Sequence, residues 1–105
     1  MPTTKKNATL APIHPGTILR EDVLEPLGLS ANQFAKLLAV DTPRLNEILR
    51  GRRSITADTA LRLSRYLGTS AKFWLNLQVD YELRVARQTK QAEIERTVKP
   101  RASAA

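Results

Sequence analysis

Apolar residues recur at helical spacing in five stretches of this chain, each bounded by capping residues, Gly or Pro. The first begins at His14-Pro15-Gly16, where Pro15 suits a first turn. Ile18, Leu19, Val23 and Leu24 share one face, with Arg20, Glu21 and Asp22 outside. Pro26 predicts an end near Glu25, because the residue before Pro disfavours the helical region. In the second stretch Ser30 is an N-cap, Gln33 completes a capping box, and Phe34, Ala35, Leu37 and Leu38 form the buried face. Val40 and Asp41 make a turn. Thr42 then caps a third helix, with Pro43 at its first position, Leu45, Ile48 and Leu49 inside, and Gly51 ending it in a left-handed conformation. Thr56 caps a fourth helix, with Asp58 favouring its dipole. Its inner side is Ala57, Ala60, Leu61, Leu63, Ser64 and Leu67; Arg62 and Arg65 face out, and Gly68 ends it. Ser70 caps the fifth, from Ala71 to at least Arg87. The chain reads as all-α.

Residues 30–51 form the informative unit. Two short helices meet across a tight turn, and the small Ala35 lets them cross closely, the geometry of a helix-turn-helix whose second helix enters the DNA major groove. The outward positions of that second helix are Arg44, Asn46, Glu47 and Arg50. Arg pairs with guanine and Asn with adenine, so this face has suitable chemistry. Capped amphipathic helices also occur in any small bundle, and periodicity alone does not separate the two. If Ala39 in the turn is left-handed, it costs on the order of 1 kcal/mol.

The last helix differs from the others. On a wheel, Phe73, Trp74, Leu77, Tyr81 and Val85 fall in one arc and Leu75, Val79, Leu83 and Ala86 in a second, with polar residues such as Asn76, Gln78, Asp80 and Glu82 between. One stripe packs on the bundle. A two-fold partner covers the other, the alternative being that both are buried in one domain. The expected organisation is therefore a flexible arm over 1–11, a DNA-binding and dimerisation domain over 12–87, and a charged, partly disordered tail over 88–105. Within the tail, residues to about Val98 are able to continue the helix.

Composition narrows the function. The chain has 105 residues, enough for one domain, and 42% are hydrophobic, enough for one modest core. Without Cys there is neither a disulfide framework nor a thiolate site, which fits a reducing cytoplasm. No apolar run reaches the length of a membrane span, and the polar N-terminus is not a signal peptide. The net charge of +7 favours polyanion partners. It is concentrated between Arg44 and Arg65, where six Arg face only Glu47 and Asp58. Arg52 and Arg53, just beyond the third helix, are placed to meet phosphates, with a solvated charge pair as the alternative. His14 is the only His, so a metal role is not expected and a capping or packing contact is. Neither a phosphate loop nor a catalytic constellation is evident, and no cofactor is expected.

Three segments carry a family resemblance. His14-Pro15-Gly16 with Ile18-Leu19-Arg20-Glu21 and Leu24-Glu25-Pro26-Leu27-Gly28-Leu29-Ser30 resembles the opening of HigA-type (VapI family) antitoxins, which are Xre-like helix-turn-helix proteins. Leu45-Asn46-Glu47-Ile48, Gly51-Arg52-Arg53 and Ile55 through Leu63 are similar to the same family, as is Gly68 through Gln78. The match covers about Pro12 to Ala86. It implies a five-helix, lambda-repressor-like fold with a long last helix. It also implies two linked activities: neutralising a HigB-type toxin, a ribosome-dependent mRNA endonuclease, and repressing its own operon as a homodimer on a palindromic operator. In this class the position of Gln33 commonly contacts DNA, and the helix from Thr42 to Arg50 is the reader. The candidate DNA-binding set is thus Gln33, Asp41, Thr42, Arg44, Asn46, Glu47, Arg50, Arg52 and Arg53, and the candidate dimer set Leu75, Val79, Leu83 and Ala86. A stand-alone Xre-like regulator and a pure protein-interaction bundle remain as alternatives; nothing in the residues marks a toxin surface.

Overall fold

The computed structural model describes residues 11–102, and among them the only regular structure longer than one turn is helical. Five helices run in chain order. α1 comprises Pro15–Leu19, a π-helical turn Arg20–Leu24, and Glu25–Leu27; α2 is Ala31–Leu38, α3 Thr42–Leu49, α4 Ala57–Leu67 and α5 Ala71–Thr97. α2 packs on α3 and α4, α1 on α3 and α5, and α4 on α5.

The first helix does not stop at Glu25 as Pro26 predicts. At the π turn the Glu25 N–H reaches back five residues to the Arg20 carbonyl. That widened turn changes the hydrogen-bond register ahead of Pro26, so the missing N–H of the ring is accommodated. The helix ends instead at Gly28, φ 68°. There Leu29 N–H bonds Leu24 O and Gly28 N–H bonds Glu25 O, a Schellman pair. The same pair closes α2 at Ala39 (Val40 to Ala35, Ala39 to Lys36) and α3 at Gly51 (Arg52 to Glu47, Gly51 to Ile48). Ala39 has φ 58°, the one non-glycine among the described residues with positive φ.

At the N-termini, His14, Ser30, Thr56 and Ser70 cap α1, α2, α4 and α5 through their side chains, and the capping box of Ser30 and Gln33 is complete. α3 differs from expectation. Asp41, not Thr42, is its N-cap and makes no side-chain capping bond, which puts Thr42 and Pro43 within the first turn. The displaced Thr42 hydroxyl donates to Asn32 Oδ1 on α2, 2.8 Å away.

The core gathers Leu19, Leu24, Phe34, Ala35, Leu38, Leu45, Ile48, Leu49, Ile55, Ala60, Leu63 and Trp74. Three expected inward residues are exposed: Leu37, Ala57 and Leu61. Leu37 and Leu61 lie instead at the mouth of an open groove of about 540 Å³ between α2 and α4, which Tyr66 and Arg65 also line. Arg62, expected outside, turns in toward the α2–α3 turn and is half-buried. In α5 only Trp74 and Gln78 are buried, although the pattern places Gln78 among the polar residues between the stripes. Its Oε1 accepts the Ile55 N–H at 2.8 Å, which holds the α3–α4 loop, and its Nε2 donates to Glu82 of the same helix at 2.9 Å, so both ends of the buried amide are bonded.

Leu75 and Leu77 pack against the core, Ala86 is half-buried, and Val79 and Leu83 are exposed. Leu75 therefore belongs to the core's edge rather than to a free stripe. Beyond Ala86 every described residue of α5 is exposed, and the helix runs on to Thr97. The flexible arm expected over 1–11 lies outside the described residues except for Ala11, as do residues 103–105 of the expected tail.

Candidate nucleic-acid interface

Sequence dictates which way each side of α3 points. With about 100° per residue, Leu45, Ile48 and Leu49 turn to the core and are buried. Pro43, Glu47 and Arg50 are exposed on the opposite side, with Asn46 half-buried beside them. These four form the ridge that a groove would meet. Thr42 and Arg44 fall on the two flanks.

Both flanks are tied down. Thr42 is held by Asn32 of α2. On the other flank the Arg44 guanidinium donates to Asp58 Oδ2 at 2.8 Å and to Thr59 Oγ1 at 2.6 Å, both at the start of α4. Arg44 thus does not project from the ridge as expected; its side chain is only 26% exposed and braces α3 against α4. Asp58 also accepts from Arg62 Nε at 2.9 Å, and these bonds from Arg62 and then Arg44 hold its carboxyl below the usual range.

Two further arginines cap the carbonyl ends of the pair. Arg62 donates to Leu38 O and Ala39 O, at 3.0 and 3.1 Å, closing the left-handed turn between α2 and α3. Arg20 of α1 donates to Leu49 O at 3.1 Å and closes α3. In each case a cation meets the negative end of a helix dipole. The periodicity of the sequence marks Arg20 and Arg62 only as outward residues. The signal that identifies them is their chemistry, an Arg on a helix that crosses the C-terminus of another.

Gly16 fixes the remaining contact. A Cβ at Gly16 would collide with the Ile48 carbonyl oxygen, so α1 touches the α3 backbone directly. His14 stands beside it. Its Nδ1 accepts the Gly16 N–H at 2.8 Å, and its ring meets Tyr81 edge-on at 4.8 Å. Burial lowers the His14 pKa from 6.5, against opposing effects of Glu82 and the Arg53 backbone. His14 is thus a capping and packing residue. Gly51, with its own φ of 76°, lies against the same ring.

The remaining candidates sit around this frame. Gln33 is exposed and spends its Oε1 on the Ser30 N–H, leaving its amide donors facing outward. Asp41 is exposed at the N-terminus of α3. Glu47, on the ridge, is paired with Arg53 at 2.8 Å. Arg50 and Arg52 are exposed and make no ion pair among the described residues. The arrangement brings Gln33, Asp41, Asn46, Glu47, Arg50, Arg52 and Arg53 to the exposed side of one two-helix unit and its following loop. Among the described residues no group of three His, Asp or Glu is placed to hold a metal ion, and no helix is long and apolar enough to cross a membrane.

Known proteins share this architecture. A helix-turn-helix family model matches residues 21–74. Virulence-associated protein I of Dichelobacter nodosus is 59% identical over 80 residues, 76% of this chain and 74% of that protein. The solved structure of an addiction module antidote protein of the HigA family from Coxiella burnetii is 50% identical, with a TM-score of 0.81, covering 88% of this chain and 100% of that one. Antitoxin HigA of Pseudomonas aeruginosa, solved with the higBA promoter, is 45% identical, with a TM-score of 0.81, covering 85% and 97% of the two chains.

Proposed function

The chain belongs to the helix-turn-helix family and, within it, to the HigA-type antitoxins, and from that membership we propose how its surface is used. It is an antitoxin that binds operator DNA as an autorepressor and neutralises a HigB-type toxin, a ribosome-dependent mRNA endonuclease. The observation that carries the DNA-binding part is the exposed ridge of α3, clamped on both flanks and at its C-terminus. It belongs to a chain 45% identical to an antitoxin HigA solved with the higBA promoter.

The ridge enters the major groove. Asn46 reads a base edge, and Gln33 and Asp41 flank it from the start of α2 and of α3. Arg50 and Arg52, which have no carboxylate partner among the described residues, meet phosphates. Arg44 and Thr42 set the helix in place. Val79 and Leu83, exposed on α5, form with Ala86 the seam of a two-fold dimer. Two α3 helices so related enter successive major grooves about 34 Å apart. The work of such a protein is cytoplasmic.

Co-expression with the product of the neighbouring gene tests the toxin half of this reading. A stable complex, with mRNA cleavage by that product suppressed, is the expected result. Free, active nuclease in the presence of the folded protein would leave a plain regulator.

A further inference from the structure

A carboxylate on a surface that meets a polyanion needs a reason. Glu47 is that carboxylate: it stands on the exposed ridge of α3, beside Pro43, which separates it from Arg50 on the wheel. Stability does not supply the reason, since the pair it makes with Arg53 is half exposed on both sides, and such surface pairs contribute little.

The geometry of the pair is specific. Arg53 Nε and one terminal nitrogen both reach the same oxygen, Glu47 Oε1, at 2.9 and 2.8 Å. Oε2 has no partner among the described residues. The backbone around Arg53 is fixed independently. Arg52 N–H bonds the Glu47 carbonyl at 2.8 Å, Gly51 turns the chain left-handed, and the Arg53 backbone meets His14. The guanidinium is thus delivered back over α3 by a rigid loop, neutralising the acid while leaving one acceptor oxygen open.

We propose that Glu47, neutralised by Arg53, selects a base that presents an exocyclic amino group in the major groove, cytosine above all. Of the four bases, cytosine offers its N4 amino group there without an adjoining N7 acceptor to repel a carboxylate. Arg53 on this assignment is a positioning residue that serves Glu47, and phosphate binding falls to its neighbours. The inference rests on the DNA-reading function proposed above and assigns the specificity of one position within it.

The test uses the full-length protein, a duplex of the promoter preceding its own coding sequence, the set of single-base variants of that duplex, and a random duplex. Glu47→Gln should abolish the preference for cytosine at one position, or move it to adenine, a change of about tenfold in relative affinity. It should also release Arg53 to phosphate, binding random DNA more tightly and steepening the logarithmic salt dependence by about 0.9. Adding Arg53→Ala to Glu47→Gln should return random-DNA affinity and salt dependence to the wild-type values without restoring the base preference. Melting curves should overlay throughout, because both residues are surface groups. If Glu47→Gln leaves every base preference and the salt dependence unchanged while the wild type prefers its promoter, this assignment is wrong and the DNA-reading function stands. A wild type with no preference for the promoter overturns both.

Discussion

The α2–α3 pair and the outer part of α5 are built on opposite plans. Each helix of the pair is bonded to something beyond itself: α2 through Arg62 at its last carbonyls, α3 through Asn32, Asp58, Thr59, Arg20 and the backbone contact at Gly16. α5, at 27 residues the longest element, buries only Trp74 and Gln78 and leaves Val79, Leu83 and Ile94 half exposed. The first region is complete within one chain. The second presents apolar surface that no other described residue covers, as interaction faces do. The contrast suits a protein that must present a rigid reader and still join a partner.

Five substitutions or conditions sharpen that contrast. Removing the anchor of α5 should have the largest effect. Trp74→Ala deletes its buried aromatic and the 2.8 Å bond to Thr69, and is expected to lower unfolding free energy by about 3–5 kcal/mol in a urea titration. Val79→Glu is expected to weaken self-association by on the order of 3 kcal/mol, roughly a hundredfold. Sedimentation would show it, with the melting of the dissociated chain little changed. An unaltered sedimentation coefficient would remove Val79 from the seam. Gly16→Ala forces α1 off the Ile48 carbonyl and should cost about 1–3 kcal/mol. It should also weaken DNA binding, although residue 16 is buried away from the ridge.

Ala39→Gly works in the other direction. Relieving the left-handed alanine should raise stability by at most about 1 kcal/mol. A loss instead would mean that Arg62 already holds the turn so firmly that only the unfolded-state entropy of glycine is felt.

The smallest effect is that of pH. The folded His14 pKa lies below 6.5 because burial disfavours the charged ring. As pH falls, the unfolded chain therefore takes up the proton first. The stabilisation is complete above 6.5 and is lost as pH drops through the folded-state value. Urea midpoints should decline as pH falls below 6.5, and His14→Gln should flatten that decline.

Caps and periodicity made most of the fold legible. Ser30 with Gln33, Thr56, Ser70, Gly51 and Gly68 all act where local chemistry places them, because capping depends only on neighbours in the chain. Two failures came from the same locality. Pro26 ought to end a helix, but a π turn five residues long carries the helix past it. Thr42 ought to cap α3, but Asp41 takes the cap and Thr42 is drawn to Asn32. Of the candidate interface, the ridge was readable from the wheel. The partners of Arg44 and Glu47 were not, since Asp58 and Arg53 reach them only after the chain has turned at Gly51. The burial of Gln78 is illegible for a related reason. Its buried bond to the Ile55 N–H crosses 23 residues, and no local pattern distinguishes it from a solvated glutamine.

If the clamped α3 ridge reads a particular DNA sequence, the protein discriminates between duplexes of equal length. Titrating the purified protein against the promoter duplex that precedes its own coding sequence, and against a random duplex of equal length at physiological salt, tests it most directly. A preference of at least about a thousandfold for the promoter is expected. Equal affinity for the two duplexes would contradict it.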